Sequence, residues 1–261
     1  MQHSIEESNK YHEHPETAKL HPWDDVFFIG TNRGLLNYDV DFFDFVRNGA
    51  IRVHIADITR LSHRTVHLSN GDALAADILI CGTGWKDTPQ IKFVTERELG
   101  LPGHLPLAAQ PYIAKANSII LETCPKLQSQ PPCRKMRAMT DKADEITPEP
   151  YRLYRFMVPP AFIDNRTLAF AGAYRSPATT FIAQTQALWI TAFFDNNVRE
   201  LKSGFEANFD RILYETVLHT QFGKWRYSRG FGARFPELWF DCLPYVDLLL
   251  KDIGVPNQRK K

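Results

Sequence analysis

Long apolar runs are missing from this 261-residue chain. No stretch approaches 18 consecutive apolar residues, so no membrane-spanning helix is expected. An excess of one charge is missing as well. Lys and Arg number 31 against 30 Asp and Glu, a formal net charge of +1. Nucleic-acid binders usually carry a strong basic excess, so no nucleic-acid partner is expected. Cysteine is scarce: Cys81, Cys124, Cys133 and Cys242 are scattered and none forms a Cys-x-x-Cys pair. A disulfide framework is therefore not expected, and reduced thiols in an intracellular protein are. His3, His12, His14 and His21 fall near the start at irregular spacing, with no Cys or acidic cluster beside them, so no metal site is expected there. Met1 to Lys19 lack the basic start and apolar stretch of a secretory signal. A cytoplasmic location is the expectation.

What is present reads as an ordinary globular composition, with 44% hydrophobic and 23% charged residues, enough to bury a sizeable core. After a polar lead-in over residues 1–25, Val26 to Ile29 forms a short apolar run ending at Gly30 and reads as a strand. Asp39 to Val46 is an acid-led helical pattern stopped by Asn48-Gly49. Ile51, Val53 and Ile55 alternate with polar residues, a period-two strand. Ile58 to Leu61 and Thr65 to Leu68 read as further strands, and Asn70-Gly71 favours the positive backbone angles of a tight hairpin. Asp77 to Cys81 is a continuous apolar strand, the pattern of burial on both faces of a parallel sheet.

Further along, Tyr112 to Thr123 reads as a helix, and residues 126–150, with Pro131, Pro132, Pro148 and Pro150, as a linker or lid. Thr167 to Ala171 is a second apolar strand, stopping at Gly172. Ser176 then reads as the N-cap, and Pro177 as the first residue, of a helix that packs one face against a sheet. Phe181, Ile182, Leu188, Trp189, Ala192 and Phe193 form its apolar stripe, with Gln184, Gln186 and Asp195 off it. Helices are also expected from about Phe205 to Thr220 and near Tyr245 to Lys251, and the basic tail 258–261 reads as a solvated end.

Two strand-to-glycine turns carry the chemical signal. Gly82, Thr83 and Gly84 follow the first strand: two glycines permit close approach, and one hydroxyl lies between them. This suits the edge of a nucleotide pocket at a sheet's carboxyl end. Gly172, Arg175, Ser176 and Thr179 follow the second strand, where a helix N-terminus and a cation could meet an anion or a reduced heteroaromatic ring.

The stretch Asp77-Ile78-Leu79-Ile80-Cys81-Gly82-Thr83-Gly84-Trp85 resembles the strand ending in Ala-Thr-Gly-Tyr of flavin-containing (class B) monooxygenases, with Gly82 and Trp85 as departures. Leu168 to Gly172 and the segment Ala183 to Trp189 are similar to that family's late strand and the segment after it. The resemblance covers about residues 20–200. It implies an α/β fold: a partial FAD/NAD(P)-binding, Rossmann-type, doubly wound architecture with an added helical C-terminal region. Residues 26–85 would be a remnant of the NAD(P)-binding domain closing into an FAD-domain strand. Residues 86–165 would be an insertion with a substrate-side cap, 166–202 the closing FAD-domain strand and helix, and 203–261 the helical region. It further implies FAD and NADP as cofactors. Gly82, Thr83, Gly84, Gly172, Arg175, Ser176 and Thr179 would be the cofactor contacts, with no catalytic residue identified. The activity implied is NADPH- and O2-dependent oxygenation of a small organic substrate, in a texture closest to enzymes that tailor secondary metabolites.

The Gly-x-Gly-x-x-Gly units that hold the FAD and NADPH pyrophosphates in such enzymes do not occur here. The chain therefore resembles the C-terminal portion only, and weak or no FAD binding by the chain alone is expected. The alternative is a truncated, non-catalytic relative acting as an accessory or interaction protein, or a partial gene product. A flavin disulfide reductase would need a close redox pair, which Cys124 and Cys133 do not make.

Overall fold

The computed structural model describes residues 10–21, 40–82, 91–102, 107–129, 151–202, 205–227 and 231–256. The strand at Val26 to Ile29, the residues Thr83, Gly84 and Trp85, Cys133, most of the 126–150 segment and the basic tail lie outside them. The described residues divide into two compact units, one among residues 10–82 and one among residues 91–256.

In the first unit, α1 (Pro15–Ala18) begins where His14 Nδ1 accepts the Glu16 amide at 3.1 Å, and Pro15 supplies the preset backbone angle of a first turn. Helix α2 (Phe42–Arg47) starts at the N-cap Asp41, whose carboxylate accepts the Phe43 amide at 3.0 Å. Burial pushes the Asp41 carboxyl up, but the Phe43 amide, Arg47 and Lys10 together hold it below its ordinary range. Tyr11 meets Phe43 edge to face at 4.9 Å, and Val46 is buried beside Phe43 on the inner side of α2. The sheet is a three-stranded antiparallel meander of β1 (Ile58–Ser62), β2 (Thr65–Leu68) and β3 (Ala73–Ala75). Arg64, at φ 51°, turns β1 into β2, and Gly71, at φ 92°, turns β2 into β3, as the Asn70-Gly71 pair predicts. Val66 and Leu68 alternate inward, whereas every residue of β1 is exposed.

Two expected strands do not form here. Ile51 to Ile55 is irregular. Asp77 to Cys81 pairs with no strand among the described residues, and Ile78 and Ile80 are 80% and 87% exposed rather than buried on both faces. A central parallel strand needs backbone partners on both sides and cover on both faces. The sheet of this unit is antiparallel and ends at Ala75, before the apolar run begins.

The second unit is helical. Helix α3 (Gln110–Thr123) packs along α5 (Phe205–Arg226), where Asn117 accepts hydrogen bonds from Gln221 at 2.8 Å and Trp225 at 2.9 Å. Helix α4 (Thr179–Phe194) packs against α7 (Cys242–Asp252), not against a sheet as its pattern suggests. The core joins Ile182, Trp189 and Phe193 of α4, Ile212 of α5, Tyr245 and Leu249 of α7, and Tyr154, Met157 and Val158 from an extended segment. Trp189 stacks on Phe193 at 5.5 Å. The short helix α6 (Phe231–Arg234) lies close to α5: a Cβ on Gly232 would run into the Gly223 carbonyl oxygen.

The whole segment 151–160 is buried. It doubles back at Tyr154 and Val158, which exchange backbone hydrogen bonds at 2.7 and 3.0 Å across Arg155 and Phe156, at φ 52° and 57°. Left-handed backbone on residues with a Cβ costs about 1–3 kcal/mol each. What holds the turn is the buried Arg155 guanidinium, paired with Asp252 at 2.7 Å and Glu215 at 3.0 Å. Asp252 also accepts from Trp189 Nε1 at 3.0 Å.

Candidate functional site

Of the sequence-predicted site residues, the structure brings Gly172, Arg175, Ser176 and Thr179 together on one loop of the second unit. Gly82 belongs to the first unit, and Thr83 and Gly84 lie outside the described residues. Gly82 is exposed, with open space where a Cβ would stand.

The loop is approached by residues 167–171, which do not form the expected strand: Leu168 to Phe170 are half-buried and Thr167 and Ala171 exposed, and Phe170 donates its amide to the Met157 carbonyl at 2.7 Å. Gly172 then takes φ 76°, a left-handed angle that favours glycine, with open space at its Cβ position. Tyr174 is buried and donates its hydroxyl to the Thr179 carbonyl at 2.9 Å; burial pushes that phenol up. Arg175 forms a parallel bridge with Glu237: its amide donates to the Pro236 carbonyl and its carbonyl accepts the Leu238 amide, both at 2.8 Å. Its guanidinium lies 3.4 Å from the buried Glu237 carboxylate and 5.2 Å above the Phe235 ring. Its charge is thus partly balanced within the fold.

Ser176 is not the N-cap. Helix α4 begins at Thr179, and the Ser176 hydroxyl accepts the Ala178 amide at 3.1 Å while donating to the Leu238 carbonyl at 3.3 Å. Thr179 donates its hydroxyl to the Ser176 carbonyl at 2.8 Å. Both hydroxyl protons are therefore committed inside the loop. A group bound here would meet lone pairs and the first-turn amides of α4, which have no intrahelical acceptor.

Gln186 emerges as part of the site only in the structure. It is buried on the same face as Ile182, Trp189 and Phe193, not off that stripe. Its Oε1 accepts the Gly172 amide at 2.9 Å and its Nε2 donates to the Tyr245 hydroxyl at 2.8 Å. Its spacing of four after Ile182 is the signal that could have found it. The same helix turns Phe181 and Leu188 outward, although the apolar pattern places both on the buried stripe.

The loop presents an open glycine, a helix start and a hydrogen-bonded backbone, groups that could meet one edge of a planar or anionic ligand. It does not enclose such a ligand among the described residues. Nearby, Tyr151, Phe156, His219, Thr220 and Glu237 line a cavity of about 10 Å³, room for about one water. Burial, helped by Arg155 and opposed by Glu215, pushes His219 down to about 4. No group of three or more His, Cys, Asp or Glu among the described residues is placed to hold a metal. No helix among them is long and apolar enough to cross a membrane.

Comparison with known proteins gives a consistent likeness. Six curated proteins, each named an FAD-dependent monooxygenase, match at 25–30% identity over 91–96% of this chain. The one from Aspergillus nomiae is 29% identical over 96% of this chain and 43% of its own length. Those from Aspergillus sclerotiorum and Alternaria brassicicola are 28% and 30% identical over the same shares. The chain thus spans less than half the length of the curated relatives it matches, and the resemblance read from its motifs holds across it, consistent with a C-terminal portion of such a protein. No family model matches, and no solved structure does.

Proposed function

We propose, from the likeness of nearly the whole chain to FAD-dependent monooxygenases, that it contributes part of the cofactor site of an oxidoreductase. The reaction would use NADPH and O2 to place one oxygen atom on a small organic substrate, in the manner of secondary-metabolite tailoring. The observation that carries this reading is the Gly172–Thr179 loop, which lies in the region resembling the family and is open at Gly172 and held rigidly on its other sides. FAD, when bound, supplies the redox chemistry. The chain's part is to present the Gly172 backbone and the first turn of α4 to the flavin and to exclude water with the packed core behind them. Arg175 adds a cation already shared with Glu237. The Gly-x-Gly-x-x-Gly unit that would hold the FAD pyrophosphate does not occur in this chain.

The chain alone is therefore expected to bind FAD weakly, with a Kd above about 100 μM, equivalent to less than about 5.5 kcal/mol. The test is to titrate the purified chain with FAD, follow the visible spectrum, and then measure NADPH oxidation. Weak, saturable spectral perturbation without sustained turnover supports the reading. A stable stoichiometric flavin band would overturn the weak-binding expectation. No perturbation up to millimolar FAD would overturn the flavin site itself. The accessory-protein reading is favoured by one observation, the exposed apolar run Ile78 to Ile80, and it gains if FAD leaves the protein unperturbed.

A further inference from the structure

Gln186 is 1% exposed, in the middle of a helix that carries no charged residue. A buried primary amide is costly unless its donors and acceptor are used. A methionine would fill similar volume at lower cost. The bonds made by Gln186 run in one direction only. Tyr245 has a single hydroxyl proton, which goes to the Arg155 carbonyl at 2.7 Å, so its oxygen must accept from Gln186 Nε2 at 2.8 Å. That places Gln186 Oε1 toward Gly172, whose amide it accepts at 2.9 Å. A flipped amide would set donor against donor at the Gly172 end and leave the Tyr245 oxygen without its donor. The relay ends on the left-handed Arg155–Phe156 turn, itself anchored by Asp252 and Glu215. Gly172 is exposed, so its amide is tied to the core through this one side chain.

We infer that Gln186, backed by Tyr245, is a positioning residue. It transmits the fixed geometry of the buried Arg155 turn to the Gly172–Thr179 loop and so sets the backbone that faces the ligand. The inference rests on the reading of that loop as the flavin edge.

The test is hydrogen exchange at the Gly172 amide, read beside amides of the α5 core such as Ile212 and Val217. Gln186→Met removes both hydrogen bonds and keeps the volume. It should speed Gly172 exchange about tenfold, the scale of one lost hydrogen bond, and leave the α5 amides unchanged. Gln186→Glu supplies the discriminating readout. Protonated, its carboxyl has one acceptor for Gly172 and one donor for Tyr245, as glutamine has. Ionised, it has acceptors only: it can still meet the Gly172 amide, but the single Tyr245 proton cannot serve both the introduced carboxylate and the Arg155 carbonyl, so the tie that holds the Gly172 acceptor to the Arg155 turn is lost and Gly172 protection falls with it. Burial raises a carboxyl's pKa and the Asp252 and Glu215 charges add to that rise, while Arg155 opposes it; Tyr174 and Tyr245 are neutral phenols, and the Tyr245 oxygen favours the protonated form by accepting its proton. Wild-type protection at Gly172 should therefore return in Gln186→Glu as pH falls, and no such return should occur in Gln186→Met. Should the Met variant fail to fold, the Glu variant makes the comparison within one protein. Unchanged Gly172 exchange in a folded Met variant, or no pH-dependent rescue in the Glu variant, would overturn the inference. The flavin reading is tested separately on the wild type: FAD that leaves the Gly172 to Phe181 amide signals unmoved refutes that reading, whatever the exchange data show.

Discussion

Residues 77–82 and 151–160 are both rich in large apolar side chains, and they end in opposite surroundings. In the second unit, Tyr151 to Val158 is buried along its whole length, returns on itself through two left-handed residues, and is locked by Arg155 to Asp252 and Glu215. In the first, Ile78 to Ile80 runs without a strand partner among the described residues and is exposed. Apolar content alone does not decide burial. A segment is buried when other elements give its backbone partners and its side chains neighbours. The helical unit contains both for its own segment. The sheet of the other unit stops at Ala75, before its apolar run.

The contrast can be broken by substitution, with the largest effects expected in the second unit. Trp189→Ala removes a stacked core ring and leaves Asp252 without one donor. Asp252→Ala leaves the Arg155 guanidinium buried beside a more exposed Glu215. Each should cost about 3–5 kcal/mol in urea unfolding followed through the second unit. If either costs under about 1 kcal/mol, the buried turn is not the keystone of this unit.

A pH effect of middle size comes from His219, whose folded value of about 4 lies below its ordinary 6.5. Its contribution to stability is present above pH 6.5 and is lost as pH falls toward 4, because the unfolded chain takes up the proton first. His219 retains some exposure, so the loss is set at about 1–2 kcal/mol, less than the full shift would give. His219→Gln should remove that part of the acid limb; a superimposable pH–stability curve for the variant would contradict the assignment.

Gly172→Ala should cost about 1 kcal/mol through its left-handed backbone, seen as a small fall in unfolding free energy, since the site has room for a methyl group. The smallest effect belongs to the first unit. Ile78→Ser and Ile80→Ser should change stability by less than about 0.5 kcal/mol. A large loss there would mean that this run is packed after all.

Much of the helical unit was legible in the sequence. Phe209, Ile212, Leu213, Thr216 and Val217 align at helical spacing in the sequence; the last four are buried in α5 and Phe209 is half-buried, and α7 contains the predicted Tyr245 to Lys251 helix. In the first unit, the Asn70-Gly71 hairpin and β2 also follow from pattern, because turn chemistry and alternation are local. The two strands expected before the glycine turns do not form: a continuous apolar run fixes neither the backbone partners nor the covering elements that would make it a buried strand. At Ser176 the cap residue type is right and its place is not: Pro177 and Ala178 form a turn first, and the serine serves Ala178 from two residues away. Gln186 escapes a reading by polarity, which sets it on the surface, whereas its position between Ile182 and Trp189 sets it inside. Arg155 and Asp252 lie 97 residues apart, and no local pattern joins them.

The most direct measurement is an amide-resonance titration of the isotopically labelled chain with FAD. Saturable shifts concentrated at Gly172 to Phe181 are expected, with Gly172 among the largest, at a Kd above about 100 μM. Shifts confined to other residues, or none up to millimolar FAD, would contradict the assignment of this loop as the flavin edge.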